Sequence, residues 1–139
     1  MKPFFALILV VFIGCKHNHD QHDHHNHQTN ETESPLYKEV MSIHDAIMPE
    51  MTTIHDLKKA LKAAQDDSNK EMVLSQIFKL NEADEAMMSW MAAFKTPQDT
   101  ATINTYLNDE KIKIQAVSDL MLNSILSSNK LLDSLNTVK

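Results

Sequence analysis

The sequence predicts an all-α fold, an up-down-up three-helix bundle with antiparallel neighbours that occupies residues 35–139. The chain of 139 residues contains one Gly and four Pro, a scarcity that helices tolerate and a turn-rich β fold does not. Two polar segments, residues 66–69 and 96–99, divide this region into three stretches. Within each stretch, apolar residues recur at helical spacings of three and four.

The first helix is predicted from residue 35 to about residue 64. Ser34 suits an N-cap and Pro35 suits the first helical position. Pro49 lies in the middle, where it removes a backbone hydrogen bond and kinks the helix. Such a kink either shapes a site or simply fits the bundle. The apolar seam of this helix consists of Leu36, Val40, Ile43, Ile47, Ile54, Leu57 and Leu61.

The second helix is predicted to begin at a capping box of Ser68 with Glu71 and to end near residue 94. Asp84 lies on its inner side and needs a partner, either a Lys or His from another helix or a metal ion. The inner side otherwise consists of Met72, Val73, Ile77, Leu80, Ala83, Met87, Trp90, Met91 and Phe94.

The third helix is predicted to cover residues 100–135. It is longer than the second helix, so its last turns are expected to project unless another chain covers them. Its inner face consists of Ile103, Leu107, Ile114, Val117, Met121, Leu131 and Leu135.

The first 14 residues have the features of a cleaved signal peptide. Residues 4–13 form an apolar run of ten residues, which suits a signal-peptide core and is too short to span a bilayer. Gly14 and Cys15 follow, and this junction resembles the lipobox of bacterial lipoproteins, although Phe12 stands where Leu is more usual. The resemblance implies diacylation of Cys15 and attachment to a bacterial membrane, on its periplasmic or surface side. An ordinary signal peptide with an incidental Cys is the alternative.

Residues 15–34 are predicted to form a disordered tether between the lipid and the bundle. No aliphatic or aromatic side chain occurs in residues 16–34, so nothing offsets the entropy of ordering them. Such His-rich tracts are typical of binding to Zn²⁺ or copper. A polar spacer and a pH-dependent charge switch are the alternatives. The tether holds six of the eight histidines: His17, His19, His22, His24, His25 and His27.

A second candidate metal site lies in the bundle itself. One stripe of the first helix carries soft ligands at steps of three and four, namely Met41, His44, Met48, Met51 and His55. On the second helix Trp90 is accompanied by Met87, Met88 and Met91. Antiparallel packing would bring the two groups level, with Asp84 beside them, and thioethers, imidazole and an indole face suit Cu(I). In the alternative interpretation the methionines fill gaps and Trp90 anchors the core.

Two short motifs resemble those of small Bacteroidota-type lipoproteins that are often labelled "viral A-type inclusion protein". The first, H-D-x-x-M-P-x-M, consists of His44, Asp45, Met48, Pro49 and Met51. The second, A-x-E-x-M-M-x-W-M, consists of Ala83, Glu85, Met87, Met88, Trp90 and Met91. The resemblance implies an envelope location and a helical body, and it implies no particular chemistry.

Several classes of function are disfavoured. The net charge is −6 and Arg is absent, which argues against nucleic-acid binding. Sequence motifs for a nucleophile elbow, a phosphate loop or a zinc protease are missing, so we do not expect an enzyme. The sequence therefore predicts an extracytoplasmic lipoprotein that binds copper or zinc for buffering, sequestration or delivery.

Two other functions remain open from the sequence. One is a non-catalytic helical lipoprotein that pairs with a second copy or with another envelope protein. The other is haem binding through Met and His, which with three helices per chain would require a dimer.

Overall fold

The computed structural model describes residues 34–95 and 102–137, and all secondary structure within them is α-helical. The first two helices are one helix bent at residues 48–49, so the predicted three-helix, all-α bundle is confirmed. The predicted signal peptide, Cys15, most of the tether and the predicted break at residues 96–99 lie outside the described residues. The helices are α1 (Pro35–Ile47), α2 (Glu50–Ala64), α3 (Lys70–Ala93) and α4 (Ile103–Thr137).

The start of α1 and the bend after it follow from three residues identified in the sequence. The Ser34 hydroxyl accepts a hydrogen bond from the Tyr37 N–H at 3.0 Å, and Pro35 is the first helical residue. At the bend, the Met51 N–H donates to the Met48 carbonyl at 3.1 Å. This three-residue spacing tightens the chain where Pro49 has no N–H to donate. The cap and the kink are therefore both as predicted.

The turn between α2 and α3 is organised by Asp66, and the predicted capping box is wrong. The Ser68 hydroxyl donates to the Asp66 carboxylate at 2.7 Å, while Asn69 is the N-cap residue and makes no side-chain cap bond. The same Asp66 oxygen accepts the N–H groups of Ser68 and Asn69. The Asn69 amide donates to the Ala64 carbonyl at 3.0 Å, which satisfies a backbone acceptor at the end of α2.

The core runs the length of the bundle, and α4 packs against each of the other three helices. The Lys111 ammonium of α4 donates to the Glu39 carboxylate of α1 at 2.6 Å, and the two residues are 72 positions apart in the sequence. The same separation of 72 residues places the end of α2 level with the last turns of α4. Leu131, Leu132 and Leu135 therefore pack against the core and do not project. Fully buried side chains come from all four helices and include Val40, Ile54, Leu61, Val73, Leu80, Ala83, Met87, Leu107, Ile114 and Met121.

Two inner positions differ from the predicted apolar faces. Met72 was expected inside but is 58% exposed. Gln76, four residues further along α3, is buried in its place, and its amide nitrogen lies 2.7 Å from Ser127 Oγ and 3.0 Å from Ser128 Oγ. It also lies 3.2 Å from the Ser124 carbonyl. Because these groups lie on α4, the polar layer fixes the register of α3 against α4.

Glu110 is a buried acidic residue on the inner face of α4. Its side chain is 6% exposed, and the Lys113 ammonium bonds its carboxylate at 2.7 Å from a largely exposed position. The hydrogen bond and the charge of Glu110 raise the pKa of Lys113 above its ordinary value of 10.5. The exposed Lys113 ammonium therefore compensates the negative charge of the buried Glu110 carboxylate.

The Lys113 pair predicts a loss of stability in alkali. Because the pKa of Lys113 is higher in the folded than in the unfolded state, the ion pair contributes fully to stability below the unfolded-state pKa of Lys113. That contribution disappears as the pH rises through the folded-state pKa of Lys113. Urea unfolding should therefore give a stability difference between the parent and K113M that is constant from neutral pH to about pH 10 and shrinks above it. The E110Q variant lacks the carboxylate, so K113M made in that background should show no such pH dependence. A difference that does not vary with pH would contradict the assignment.

Candidate metal site

The structure brings His44 of α1 against Trp90 of α3, where the two groups of candidate ligands were predicted to meet. The ring centroids lie 5.6 Å apart with an interplanar angle of 34°. Trp90 is 7% exposed, and the His44 side chain is 16% exposed. The imidazole therefore lies at the edge of the core, with one side packed and the other within reach of solvent.

Asp45 determines which nitrogen of His44 is available. The Nδ1 atom of His44 lies 2.8 Å from the Asp45 carboxylate, which is 71% exposed. An ionised carboxylate only accepts hydrogen bonds, so Nδ1 carries the proton of the neutral ring. Nε2 then presents its lone pair. Metal-binding histidines usually have this arrangement, with the second ring nitrogen bonded to a carboxylate.

His44 and Trp90 belong to a larger aromatic cluster. Trp90 lies 4.9 Å from Phe94, whose ring lies 6.2 Å from Tyr37 and 6.1 Å from Tyr106, measured between centroids. The Lys95 N–H donates to the Tyr106 hydroxyl at 2.8 Å. The cluster occupies the end of the bundle where α1 begins and α3 ends. The predicted tether joins the bundle at this same end.

Four of the candidate methionines lie inside the bundle near this level. Met87 is fully buried, whereas Met48, Met51 and Met91 are half-buried and pack against the core. The contact between His44 and Trp90 places Met91, the next residue of α3, near the level of His44, whereas Met51 lies beyond the bend on α2. Met41, one turn before His44 on α1, is also half-buried. Thioethers therefore accompany the imidazole from both helices.

Three other candidates lie apart from His44. His55 is exposed and lies eleven residues further along the chain, a rise of about 16 Å on a helix. Met88 is 55% exposed. Asp84 bonds the Lys58 ammonium at 2.8 Å, so the partner that this carboxylate was expected to need is a lysine of α2. His55 instead lines an open groove of about 350 Å³ together with Lys58, Lys59, Lys62 and Ile77.

Asp84 is expected to contribute to an ion pair and not to metal binding. Its side chain is 35% exposed and that of Lys58 is 21% exposed, so the D84N variant should lose no more than about 1 kcal/mol of unfolding free energy. The loss should become smaller at high salt, because salt screens the pair. Urea titrations at low and high ionic strength, with D56N on the outside of α2 as the control, measure this. A salt-independent loss several times larger would contradict the ion-pair assignment.

The Trp90 indole nitrogen is the one buried side-chain nitrogen or oxygen without a hydrogen-bond partner in residues 34–95 and 102–137. The same residues contain no group of three or more His, Cys, Asp or Glu side chains arranged to hold a metal ion. The predicted set at His44 is of another kind, one imidazole with thioethers.

Sequence inspection missed the buried Glu110, although its spacing from Leu107 and Ile114 places it on their face.

Comparison with known proteins adds no identification. No protein-family model, curated protein or solved structure matches the chain. The likeness to small envelope lipoproteins therefore stays a prediction from the two motifs. Among the described residues, no helix is both long and apolar enough to cross a bilayer.

Proposed function

We propose that this protein is a membrane-anchored, extracytoplasmic lipoprotein that binds a transition metal ion, copper or zinc, to buffer, sequester or deliver it. The observation that carries the proposal is the orientation of His44. Asp45 bonds Nδ1 at 2.8 Å, Trp90 packs against the ring, and Nε2 is left as the ligand. This orientation is of the kind that lowers the entropic cost of metal binding.

The donor set at His44 suits a soft ion. Met48 follows His44 by one helical turn, and Met51 and Met91 lie on the adjoining helices. Thioether sulfur prefers Cu(I), and imidazole accepts both copper and zinc. The neighbouring indole would add an attraction between the cation and the ring. We therefore assign Cu(I) to the bundle and less selective binding of Zn²⁺ or Cu²⁺ to the tether.

The tether and the bundle are close enough to act together. His27 precedes Ser34 by seven residues, a span of up to about 25 Å when extended. His44 follows Ser34 by ten residues, which is about 15 Å along α1. A metal ion collected by the tether can therefore reach His44 without leaving the protein.

The test uses the mature chain with C15S, which cannot be acylated, and native mass spectrometry with Zn²⁺, Cu²⁺ and Cu(I). Residues 1–14 can be omitted, because the described core involves only residues 36–135. When all six tether histidines are replaced by asparagine, we expect one Cu(I) to remain bound. Adding H44A should release that ion, whereas the matched control H55A should retain it.

Two outcomes would overturn the assignment of Cu(I) to the bundle, and a third would overturn metal binding as the function. Loss of all metal from the tether variant would mean that the bundle holds no site. Equal Cu(I) binding by H44A and H55A would mean that His44 is not a ligand. If the parent itself retained no metal, the lipoprotein would be better explained as an interaction module.

A further inference from the structure

The outer face of α4 carries large apolar side chains that no part of the described chain covers. Leu122 is 49% exposed and Leu126 is 54% exposed, and they are one turn apart. Asp119 lies one turn before them and Lys130 one turn after them, and both are exposed. At 100° per residue, these four side chains fall within about 80° of one another on the helix surface. They form a single stripe, which we call the α4 outer stripe.

We propose that the α4 outer stripe binds the same stripe of a second copy of this chain, with the two α4 helices antiparallel. The order of charges supports this pairing. The midpoint of Leu122 and Leu126 falls at Ser124, and the midpoint of Asp119 and Lys130 falls half a residue later. A single two-fold axis at that point therefore sets Leu122 against Leu126 of the second copy. The same axis sets Asp119 against Lys130 of the second copy, and by symmetry each contact occurs twice.

The same charges disfavour the other arrangements. In a parallel pair, Asp119 would face its own counterpart and Lys130 would face its own, and like charges at an interface are repulsive. The outer face of α3 also exposes apolar side chains, Leu74 and Phe78. There, however, the candidate ion-pairing residues Lys70 and Glu82 lie on opposite sides of the apolar stripe, so a two-fold axis would not bring them together.

The proposed dimer does not depend on metal binding, so an experiment can exclude the dimer without excluding the metal site, and the reverse. If both copies are anchored to one membrane, the anchoring confines them to the same surface and raises their effective concentration. A modest affinity in solution is therefore sufficient. The second copy would also cover Leu122 and Leu126, the two adjacent large apolar side chains of this face.

The experiment is sedimentation equilibrium of the mature C15S chain with a metal chelator, at concentrations up to about 1 mM. The parent should form dimers. D119K and K130D should each weaken dimerisation by about tenfold or more, because each sets like charges opposite one another. The double variant D119K/K130D should restore it. E82K, a charge reversal on the outside of α3, is the matched control and should dimerise like the parent.

A cross-linking measurement tests the geometry. Asn123 lies on the outer side of α4, one residue before Ser124, so N123C in the C15S background should form disulfide-linked dimers. S75C, on the exposed side of α3, should not. A parent that is monomeric at every concentration, or single charge variants that dimerise as well as the parent, would overturn the proposal. Failure of the double variant to restore the dimer would overturn the antiparallel pairing.

Discussion

Replacement of Trp90 by alanine is expected to lower the free energy of unfolding by about 3–5 kcal/mol, the range typical of large-to-small changes of buried aromatic residues. Trp90 is 7% exposed and packs between His44 of α1 and Phe94 of its own helix. Its loss would leave a cavity at the end of the bundle where three helices meet. Urea unfolding followed by far-UV circular dichroism measures the change without relying on the tryptophan itself.

The W90F variant separates the ring from its N–H group. A buried N–H group without a partner costs about 1–3 kcal/mol, and phenylalanine removes this cost while keeping most of the aromatic packing. We therefore expect W90F to lose less than half as much stability as W90A. If the two variants are equally destabilised, the indole N–H makes a hydrogen bond that is absent from the described contacts, and this account of Trp90 is wrong.

Replacement of Gln76 by glutamate is expected to cost on the order of 3 kcal/mol at pH 7, which corresponds to a pKa rise of about two units for the new carboxylate. The amide nitrogen of Gln76 lies within hydrogen-bond distance of Ser124 O, Ser127 Oγ and Ser128 Oγ. The Ser127 and Ser128 hydroxyls already donate to the Ser124 carbonyl. The variant therefore sets a negative oxygen against their oxygens at a site that is 6% exposed. Thermal unfolding over a range of pH would measure the cost.

The pH dependence identifies the cause of this loss. Because burial raises the folded-state pKa of the new carboxyl above its unfolded value, the penalty applies at high pH and disappears as the pH falls below the unfolded pKa. Stability relative to the parent should thus recover toward about pH 4. Q76M has a similar shape and no charge, so its smaller loss should not vary with pH. A loss in Q76E that is the same at every pH would contradict the proposed polar layer.

The three-helix architecture was predictable because local chemistry and tertiary packing agree along most of the chain. Ser34 and Pro35 begin α1, Pro49 bends it, and the apolar spacing identifies most of the inner residues. The positions that were missed are polar residues inside the bundle. Gln76 and Glu110 interrupt the apolar pattern, and their partners lie on α4 or one turn away at Lys113. Hydrophobic periodicity contains no information about such partners.

The candidate site was predictable in part for a similar reason. Contact between His44 and Trp90 follows from antiparallel helices of matching length, and the structure contains that contact. His55 lies elsewhere because steps of three and four average 3.5 residues, and such a stripe drifts by about 20° per heptad around a helix. His55 is two heptads beyond Met41 and also lies past the bend. The need of Asp84 for a partner was evident, but its choice of Lys58 depends on the register between helices.

The bend at residues 48–49 also has an expected consequence for local unfolding of the bundle. Only Val40 and Ile47 of α1 are buried, and Pro49 interrupts the hydrogen-bond ladder that would otherwise join α1 to α2. Local opening occurs where few buried contacts must be broken, so we expect α1 to detach at a lower free energy than α2, α3 and α4, which native-state hydrogen exchange would test. The predicted lipid anchor is attached through α1. Strain from the membrane would therefore act first on the segment that covers Trp90, and anchoring itself would influence how often the ring is uncovered.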